Sequence, residues 1–198
     1  MAKTGTYIYI KRLTNKNVYE VIEMGREMEQ DRQMLRKLSK EKLLDLFFLH
    51  IRNLWRVDGL YFLGIEKEFG TDAATRIDVE CWKLMGRIEA RNLREVLDVK
   101  QNDIASFMYL LRNTSWALDQ GNKQIEATET TGVLRVTDCR TQGTRVRKGL
   151  GEFPCKQVRY GYLESFAKEF NPNIKLLCKV CPPMKHPKDI WCEWEFSV

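Results

Sequence analysis

Residues 174–196 read IKLLCKVCPPMKHPKDIWCEWEF and contain two candidate strands joined by a proline-flanked loop. In the second strand, apolar and polar side chains alternate, which is typical of a strand with one buried face. Cys178 and Cys181 form a C-x-x-C pair at the end of the first strand, and Cys192 lies early in the second. The stretch therefore predicts a β-hairpin that brings three thiols together, with strands at 174–180 and 190–196.

A fourth cysteine, Cys155, precedes the hairpin and begins a predicted helix. Four thiolates are the number and type of ligand that complete a tetrahedral zinc site, and such a site has no open position for a substrate. We therefore expect a structural zinc ion bound by Cys155, Cys178, Cys181 and Cys192. Cys155 and Cys192 could instead be small buried residues, and His186 could replace one thiolate. A four-iron cluster takes the same ligands, but the paired spacing favours zinc.

Helices are predicted before the sheet. Apolar side chains recur with a period of about 3.6 residues over 39–116, and after Trp116 the period changes to about two. Asp58-Gly59 interrupts the pattern and is expected to end the first helix. Helix starts are predicted at Ser39, Leu60, Thr71 and about Asp103.

The later part of the chain reads β-β-α-β-β. A hairpin is predicted over 125–136, and a helix with Val158, Tyr162, Phe166 and Phe170 on one face precedes the two closing strands. The predicted fold is α+β, with an N-terminal helical layer packed on a C-terminal antiparallel sheet. We expect one domain over 39–198, divided into a helical part (39–116) and a zinc-binding part (117–198).

Residues 1–38 are predicted to form a separate arm. Thr6 to Lys11 could form a short strand, and a charged helix with a weak apolar stripe follows from about Asn17. Such a stripe predicts packing on a neighbouring element or on a second subunit. We therefore expect the arm to contribute to a homodimer.

The net charge of +6 arises from 33 Lys and Arg residues against 27 Asp and Glu residues. This excess is small and spread along the chain, so nucleic acid is an unexpected partner. The densest basic stretch, 135–159, contains glycines but lacks interleaved aromatic residues. Two interpretations stay open for this stretch, a solvated loop and a loop that binds a phosphate or carboxylate.

The N-terminus lacks the apolar core of a signal peptide, and no apolar run approaches the roughly 18 residues of a membrane span. Six cysteines without secretion signals favour metal binding or burial over disulfides. We therefore expect a soluble cytoplasmic protein without a membrane partner.

Aromatic and acidic residues of the predicted helices indicate a second site. Trp55, Tyr61 and Trp82 could surround a cavity between the helices and the sheet, with Asp58 and Asp78 at its polar end. This pocket is expected to be separate from the zinc site. Its predicted members are Trp55, Asp58, Tyr61, Phe62, Glu66, Asp78, Trp82 and Arg87, and the candidate catalytic bases are Asp58, Asp78 and Glu89.

A structural role for the same carboxylates is the alternative. Asp78 lies at the edge of an apolar stripe, and a buried carboxylate needs a partner or a proton. Arg87 or Arg91 could pair with Asp78 or with Glu89. Solid packing around Trp82 would then leave no pocket.

Two resemblances to known families support these interpretations. The β-β-α-β-β order with Cys155, Cys178, Cys181 and Cys192 resembles the 4-vinyl reductase type of small-molecule-binding domain, in which corresponding positions bind zinc. Cys178 stands where that family often has a carboxylate, and the 181–192 loop is longer. The helical part resembles a family distantly similar to L-2-amino-thiazoline-4-carboxylate hydrolases through Trp55-Arg-Val-Asp58-Gly59-Leu-Tyr61-Phe62, Glu66, Phe69-Gly70, Asp78, Trp82 and Glu89-Ala-Arg91.

Three functions follow from these observations. The first is a zinc-stabilised domain that binds a small organic ligand between helices and sheet. The second, implied by the hydrolase resemblance, is hydrolysis of a cyclic or amide C–N bond by pocket carboxylates. The third is an assembly protein without a ligand. The sequence has no recognisable nucleophile elbow and only two histidines, so a histidine-based acid–base pair is not expected.

Overall fold

The computed structural model describes residues 28–198. The chain divides into two compact units, Met1–Phe47 and Phe48–Val198. The second unit contains the sheet and the candidate site. Most of the predicted arm, residues 1–38, lies outside the described residues. The part of the arm that is described begins at residue 28, and residues 28–36 are helical. Its contribution to a homodimer stays a prediction.

Helices precede the sheet in the described part, as predicted. Asp103 caps its helix by accepting a hydrogen bond from the Ser106 backbone N–H at 2.7 Å, and Ser39 accepts one from Lys42 at 3.3 Å. These caps occupy positions where the sequence predicts helix starts. The helices are α1 (Lys40–Phe69), α2 (Thr71–Val96), α3 (Ile104–Arg112) and α4 (Ser115–Asp119).

The predicted break at Asp58-Gly59 is wrong, because α1 continues through both residues. The Asp58 carboxylate accepts a hydrogen bond from the Trp82 indole at 3.1 Å and so does not cap a new helix. The helix ends before Gly70, whose φ of 83° lies in the left-handed region that glycine tolerates.

The second part of the chain forms an antiparallel four-stranded sheet in the described residues. Two helices, rather than the predicted single helix, separate its hairpins, because the basic stretch folds as a helix. The elements are β1 (Asn122–Ala127), β2 (Thr131–Asp138), α5 (Arg140–Arg147), α6 (Cys155–Phe170), β3 (Lys175–Val180) and β4 (Cys192–Ser197).

The order of strands in the sheet is β1-β2-β4-β3, which differs from the predicted succession. The last strand, β4, lies between β2 and β3, and every second side chain is buried in the neighbouring strands β2 and β4. Leu134 of β2 pairs with Trp194 of β4, and Val136 pairs with Cys192. The inner face of these strands packs against the helices, which confirms a mixed helical and antiparallel fold.

The core joins α3, α6 and β4 around Phe107. The Phe107 ring lies 4.8 Å from the Phe196 ring of β4 and 5.8 Å from the Phe166 ring of α6. The apolar residues predicted to step along α6 are all buried, as expected for the inner face of a helix. In the described residues, no helix is long and apolar enough to cross a membrane.

Helices α2 and α6 approach closely at Gly86. A Cβ atom at this position would collide with the backbone carbonyl oxygen of Tyr162. A backbone atom cannot swing away as a side chain can, so only glycine allows this helix spacing. The close approach fixes where the side chains of α2 and α6 meet.

Candidate ligand-binding cavity

A cavity of about 570 Å³ lies among the helices and strand ends of the second unit. Residues from α1, α2, α4, α5 and α6 line it, together with residues that follow β2 and β3 and begin β4. Its volume falls within the range of about 300 to 1,000 Å³ that is usual for small-ligand sites. The cavity is therefore large enough for a small organic molecule.

Aromatic rings form much of the lining. The Trp55 ring of α1 stacks on the Trp82 ring of α2, with centroids 4.5 Å apart and planes 6° apart. Phe62 packs edge-on against Phe153 with centroids 4.8 Å apart. These pairs attach α1 to the rest of the cavity, and two further tryptophans, Trp116 and Trp191, complete the aromatic lining.

Two predicted carboxylates, Asp58 and Asp78, lie at the cavity as expected. Burial raises the pKa of Asp58, although the hydrogen bond from Trp82 and the Arg159 charge oppose this rise. Burial, with the negative charge of Asp58 as a second cause, raises the pKa of Asp78 to about 7. Asp78 can therefore exchange a proton near neutral pH.

Arg159 is the most unusual residue of the site. It is only 4% exposed, and its guanidinium carbon lies 4.2 Å from the Trp116 ring centroid and 4.9 Å from that of Tyr162. Trp55 and Trp82 each lie 5.7 Å from it. Aromatic faces stabilise a cation in this arrangement, yet they do not accept its directional hydrogen bonds.

Basic residues outnumber acidic residues in the lining, with seven Lys or Arg against three Asp. Asp119 forms an ion pair with Arg52 at 2.7 Å, which leaves fewer carboxylates to offset the remaining cations. The basic stretch was open to two interpretations, and its helix α5 contributes to this lining through Arg140, Arg145, Arg147 and Lys148. The cavity consequently carries a positive charge surplus.

The cysteines lie beside the pocket rather than at a separate site. Cys155 begins α6, Cys181 follows β3 and Cys192 begins β4, and the Lys156 backbone N–H donates to the Pro182 carbonyl at 2.8 Å. This bond holds the start of α6 against the chain after β3. The three thiols line the same cavity as the tryptophans, and so does Cys139, which follows β2.

The thiols are in mutual contact. Cys181 interacts with Cys155 and Cys192, and its interaction with Cys155, together with the Arg159 charge, holds the pKa of Cys155 below the ordinary value, whereas the same interactions raise the pKa of Cys181. Burial raises the pKa of Cys139 to about 12. Cys178 is half-buried on β3 and does not line the cavity. Within residues 28–198, no group of three or more His, Cys, Asp and Glu side chains is arranged to hold a metal ion.

Several predicted pocket residues lie elsewhere. Tyr61 is 71% exposed, and Arg87 is exposed on the outer side of α2. Glu66 pairs with Arg145 at 2.9 Å, and these hydrogen bonds hold the pKa of Glu66 below its ordinary value. Glu89 accepts hydrogen bonds from the Ser115 backbone N–H and the Tyr162 hydroxyl, both at 2.7 Å, which gives it a structural role.

Arg159 and Trp116 were missed by the sequence analysis, although one signal was available for Arg159. Cys155, Val158, Arg159 and Tyr162 recur at the spacing of one helix face. A charged residue on an otherwise apolar stripe indicates either a buried ion pair or a ligand contact. Trp116 has no comparable signal, because its place depends on how α4 folds back on α6.

The raised pKa of Asp78 predicts how the stability of the protein depends on pH. Between about pH 4 and pH 7 the folded protein keeps a proton that the unfolded chain releases, so wild-type stability should fall as pH rises through this window. Asp78→Asn removes that dependence and should be more stable than wild type above pH 7, by roughly 1 to 3 kcal/mol at about 1.4 kcal/mol per pKa unit. At pH 4.5 wild type and Asp78→Asn should have similar free energies of unfolding.

Urea unfolding at pH 4.5, 6 and 8 measures this difference. Glu80→Gln, on the exposed side of the same helix, serves as the control and should show no pH-dependent gain. Parallel pH profiles for wild type and Asp78→Asn would show that Asp78 is an ordinary solvated carboxylate.

Comparison with known proteins gives a family but no activity. A search of curated proteins finds no match. Residues 36–198 match a family of unknown function, DUF6125, and this range includes every residue of the cavity. The resemblances to 4-vinyl reductase domains and thiazoline hydrolases therefore stay predictions. Since the match extends over most of the sequence, the chain belongs to the DUF6125 family of unknown function.

Proposed function

We propose that this chain binds a small organic ligand in the aromatic cavity of a zinc-stabilised domain. The observation that carries the proposal is the cavity itself, about 570 Å³ of space lined by stacked aromatic rings and a few ionisable groups. Apolar surfaces with a small number of convergent polar groups are typical of sites for small molecules. The aromatic rings would contact the body of the ligand, and the polar groups would orient it.

Unpartnered polar atoms support a ligand over an incidental void. The indole nitrogen of Trp55 is buried at the cavity without a hydrogen-bond partner, and so are two nitrogens of Arg159. A buried donor without a partner costs about 1 to 3 kcal/mol, so a fold seldom keeps several at one place without a use for them. A ligand with acceptor atoms would offset part of this cost.

Filling the cavity should abolish ligand binding. Gly59 lines the cavity, and a Cβ atom added there meets nothing within 4 Å, so Gly59→Phe should fold normally and occupy part of the space. Gly64→Phe is the matched control, because Gly64 has equal room on the same helix but does not line the cavity. Benzamide serves as a neutral flat probe.

The readout is tryptophan fluorescence, because Trp55, Trp82, Trp116 and Trp191 line the cavity and only Trp194 of the five does not. We expect a saturable fluorescence change with benzamide in wild type and Gly64→Phe, and its loss in Gly59→Phe. A wild-type protein without saturable binding, or equal binding by both variants, would favour the assembly function instead.

The zinc part of the proposal rests on the thiols. Cys181 is in contact with both Cys155 and Cys192, and Cys178 lies on the neighbouring strand close enough for its charge to act on Cys155 and Cys192. Four thiolates from this region would bind one zinc ion and would then anchor α6 to both closing strands. A metal in this position would stabilise one side of the ligand cavity.

Elemental analysis of protein purified without chelators should find about one zinc ion per chain. Cys181→Ser should lose the zinc and lower the melting temperature, because binding of a structural metal contributes to folding. Cys81→Ser is the control, since Cys81 is exposed on α2 and should keep both zinc and stability. Metal-free wild-type protein with full stability would exclude the zinc.

Hydrolysis of a cyclic or amide C–N bond is the second candidate function. Asp78, with its pKa raised to about 7 by burial and by the Asp58 charge, suits a general base that activates water near neutral pH. Glu89 is a weaker candidate, because both its carboxylate oxygens accept structural hydrogen bonds. Among the predicted bases, Asp78 and Asp58 are therefore the candidates that a substrate could reach.

A base must lose its proton before it acts, so turnover should rise with pH and level off above about pH 7. The test substrate is 2-amino-thiazoline-4-carboxylate, and the assay follows opening of its ring. Asp78→Asn should lose turnover, whereas Glu80→Gln should keep it. Absence of turnover in wild type across pH 5 to 9 would leave ligand binding as the function.

A further inference from the structure

We propose that the ligand of this cavity is an organic anion whose acidic group binds the guanidinium of Arg159. This inference rests on the proposed function, because it assigns a chemical class to the ligand of the same cavity. The ligand would consist of a flat apolar body and a carboxylate or phosphate. The argument depends on the burial of Arg159, on its missing partners and on the charge of the lining.

Arg159 is buried with fewer hydrogen bonds than a buried arginine normally makes, because its guanidinium interacts with the Cys155 thiol but two of its nitrogens have no partner. It is 4% exposed, and its Nε and Nη1 atoms have no hydrogen-bond partner. Among the described residues, the buried ion pairs at the cavity join Arg52 to Asp119 and Arg145 to Glu66, and neither includes Arg159. Leaving two nitrogens of a buried cation without partners is costly, so an anion brought by a ligand would be favoured.

The surrounding rings hold Arg159 in place but do not accept hydrogen bonds from its guanidinium. Trp116 and Tyr162 lie closest, at 4.2 and 4.9 Å from the guanidinium carbon. Contacts with aromatic faces stabilise the cation and offset part of its desolvation cost. Because the rings fix the orientation of the guanidinium before a ligand arrives, little side-chain entropy is lost when an anion binds.

The nearby carboxylates do not neutralise the cavity. Asp58 and Asp78 are close enough for their charges to interact with Arg159, but Asp58 accepts its hydrogen bond from Trp82. The raised pKa of Asp78 means that this carboxyl holds a proton for part of the time at neutral pH. With seven basic residues against three acidic ones in the lining, a cationic ligand would be repelled.

The planar guanidinium matches both carboxylate and phosphate, since each offers two oxygen atoms to its parallel N–H groups. The aromatic lining beside Arg159 would receive the flat body of the same ligand. Recognition would then use two adjoining parts of the cavity, the stacked tryptophans for the ring and Arg159 for the charge.

Matched probes test the inference. Benzoate, phenyl phosphate, neutral benzamide and cationic benzylamine share one ring and differ in charge. Calorimetric titration at pH 7.5 should show that benzoate or phenyl phosphate binds wild type at least about tenfold more tightly than benzamide, the factor expected for one charge-assisted hydrogen bond. Benzylamine should bind most weakly. The stronger of the two anions identifies the acidic group.

Variants of Arg159 test whether this side chain causes the preference for anionic probes. Arg159→Met should remove the preference for the anions and leave benzamide affinity within about threefold. Arg76→Met is the matched control, because it removes one positive charge from the exposed side of α2 and should keep the preference. If Arg159→Met does not fold, Arg159→Lys keeps the charge but loses the planar fork, and it should still weaken benzoate binding by about tenfold. Zinc content is measured in every variant.

The outcomes separate the two proposals. Equal wild-type affinity for benzoate and benzamide would overturn the anion inference while leaving ligand binding intact. Unchanged anion preference in folded Arg159→Met or Arg159→Lys would also overturn it and would assign Arg159 a packing role. Wild-type protein that binds none of the four probes would contradict the proposed function itself, and the inference would fail with it.

Discussion

The interaction on which the site depends is the burial of one guanidinium among aromatic rings from four helices. Arg159 of α6 lies against Trp55 of α1, Trp82 of α2 and Trp116 of α4, and Tyr162 of its own helix completes the set. Each ring belongs to a different part of the helical layer or to α6 itself, so the cation connects elements that are distant in sequence. Apolar packing alone would tolerate several arrangements of these helices, whereas a buried charge stabilises the one that surrounds it.

This arrangement also joins two regions that local sequence patterns separate. The aromatic and acidic residues lie in the helical half, and the cysteines lie in the second half, yet one cavity is lined by Asp78, Trp82, Cys155 and Cys181. The connection arises because α6 begins with Cys155 and carries Arg159 one turn later, so the same helix faces the thiols and the tryptophans. Changes at the thiols should therefore be transmitted to the ligand site through a single turn of α6.

Local patterns were sufficient to predict most elements of the fold. Alternation over 190–196 predicted β4, and the apolar steps from Val158 to Phe170 predicted α6, because each pattern reflects burial of one face. Trp55, Asp58, Phe62, Asp78 and Trp82, which the sequence analysis assigned to one pocket, line the same cavity. The order of strands and the helix formed by the basic stretch could not be predicted, because both depend on tertiary contacts. Tyr61 was predicted as an aromatic wall of the pocket and Arg87 as a partner for its carboxylates, but both are exposed on their helices.

The close approach of α2 and α6 at Gly86 has a consequence for related chains. Gly86 lies one turn after Trp82, and the carbonyl that excludes a Cβ atom belongs to Tyr162, which contacts both Trp82 and Arg159. A larger residue at this position would force the helices apart and would separate the rings from the cation. Glycine at this position in a related chain would therefore indicate that the chain can form the same site. A family member with alanine or serine at this position would have to bind something of another shape, or nothing, even if all the aromatic residues were retained.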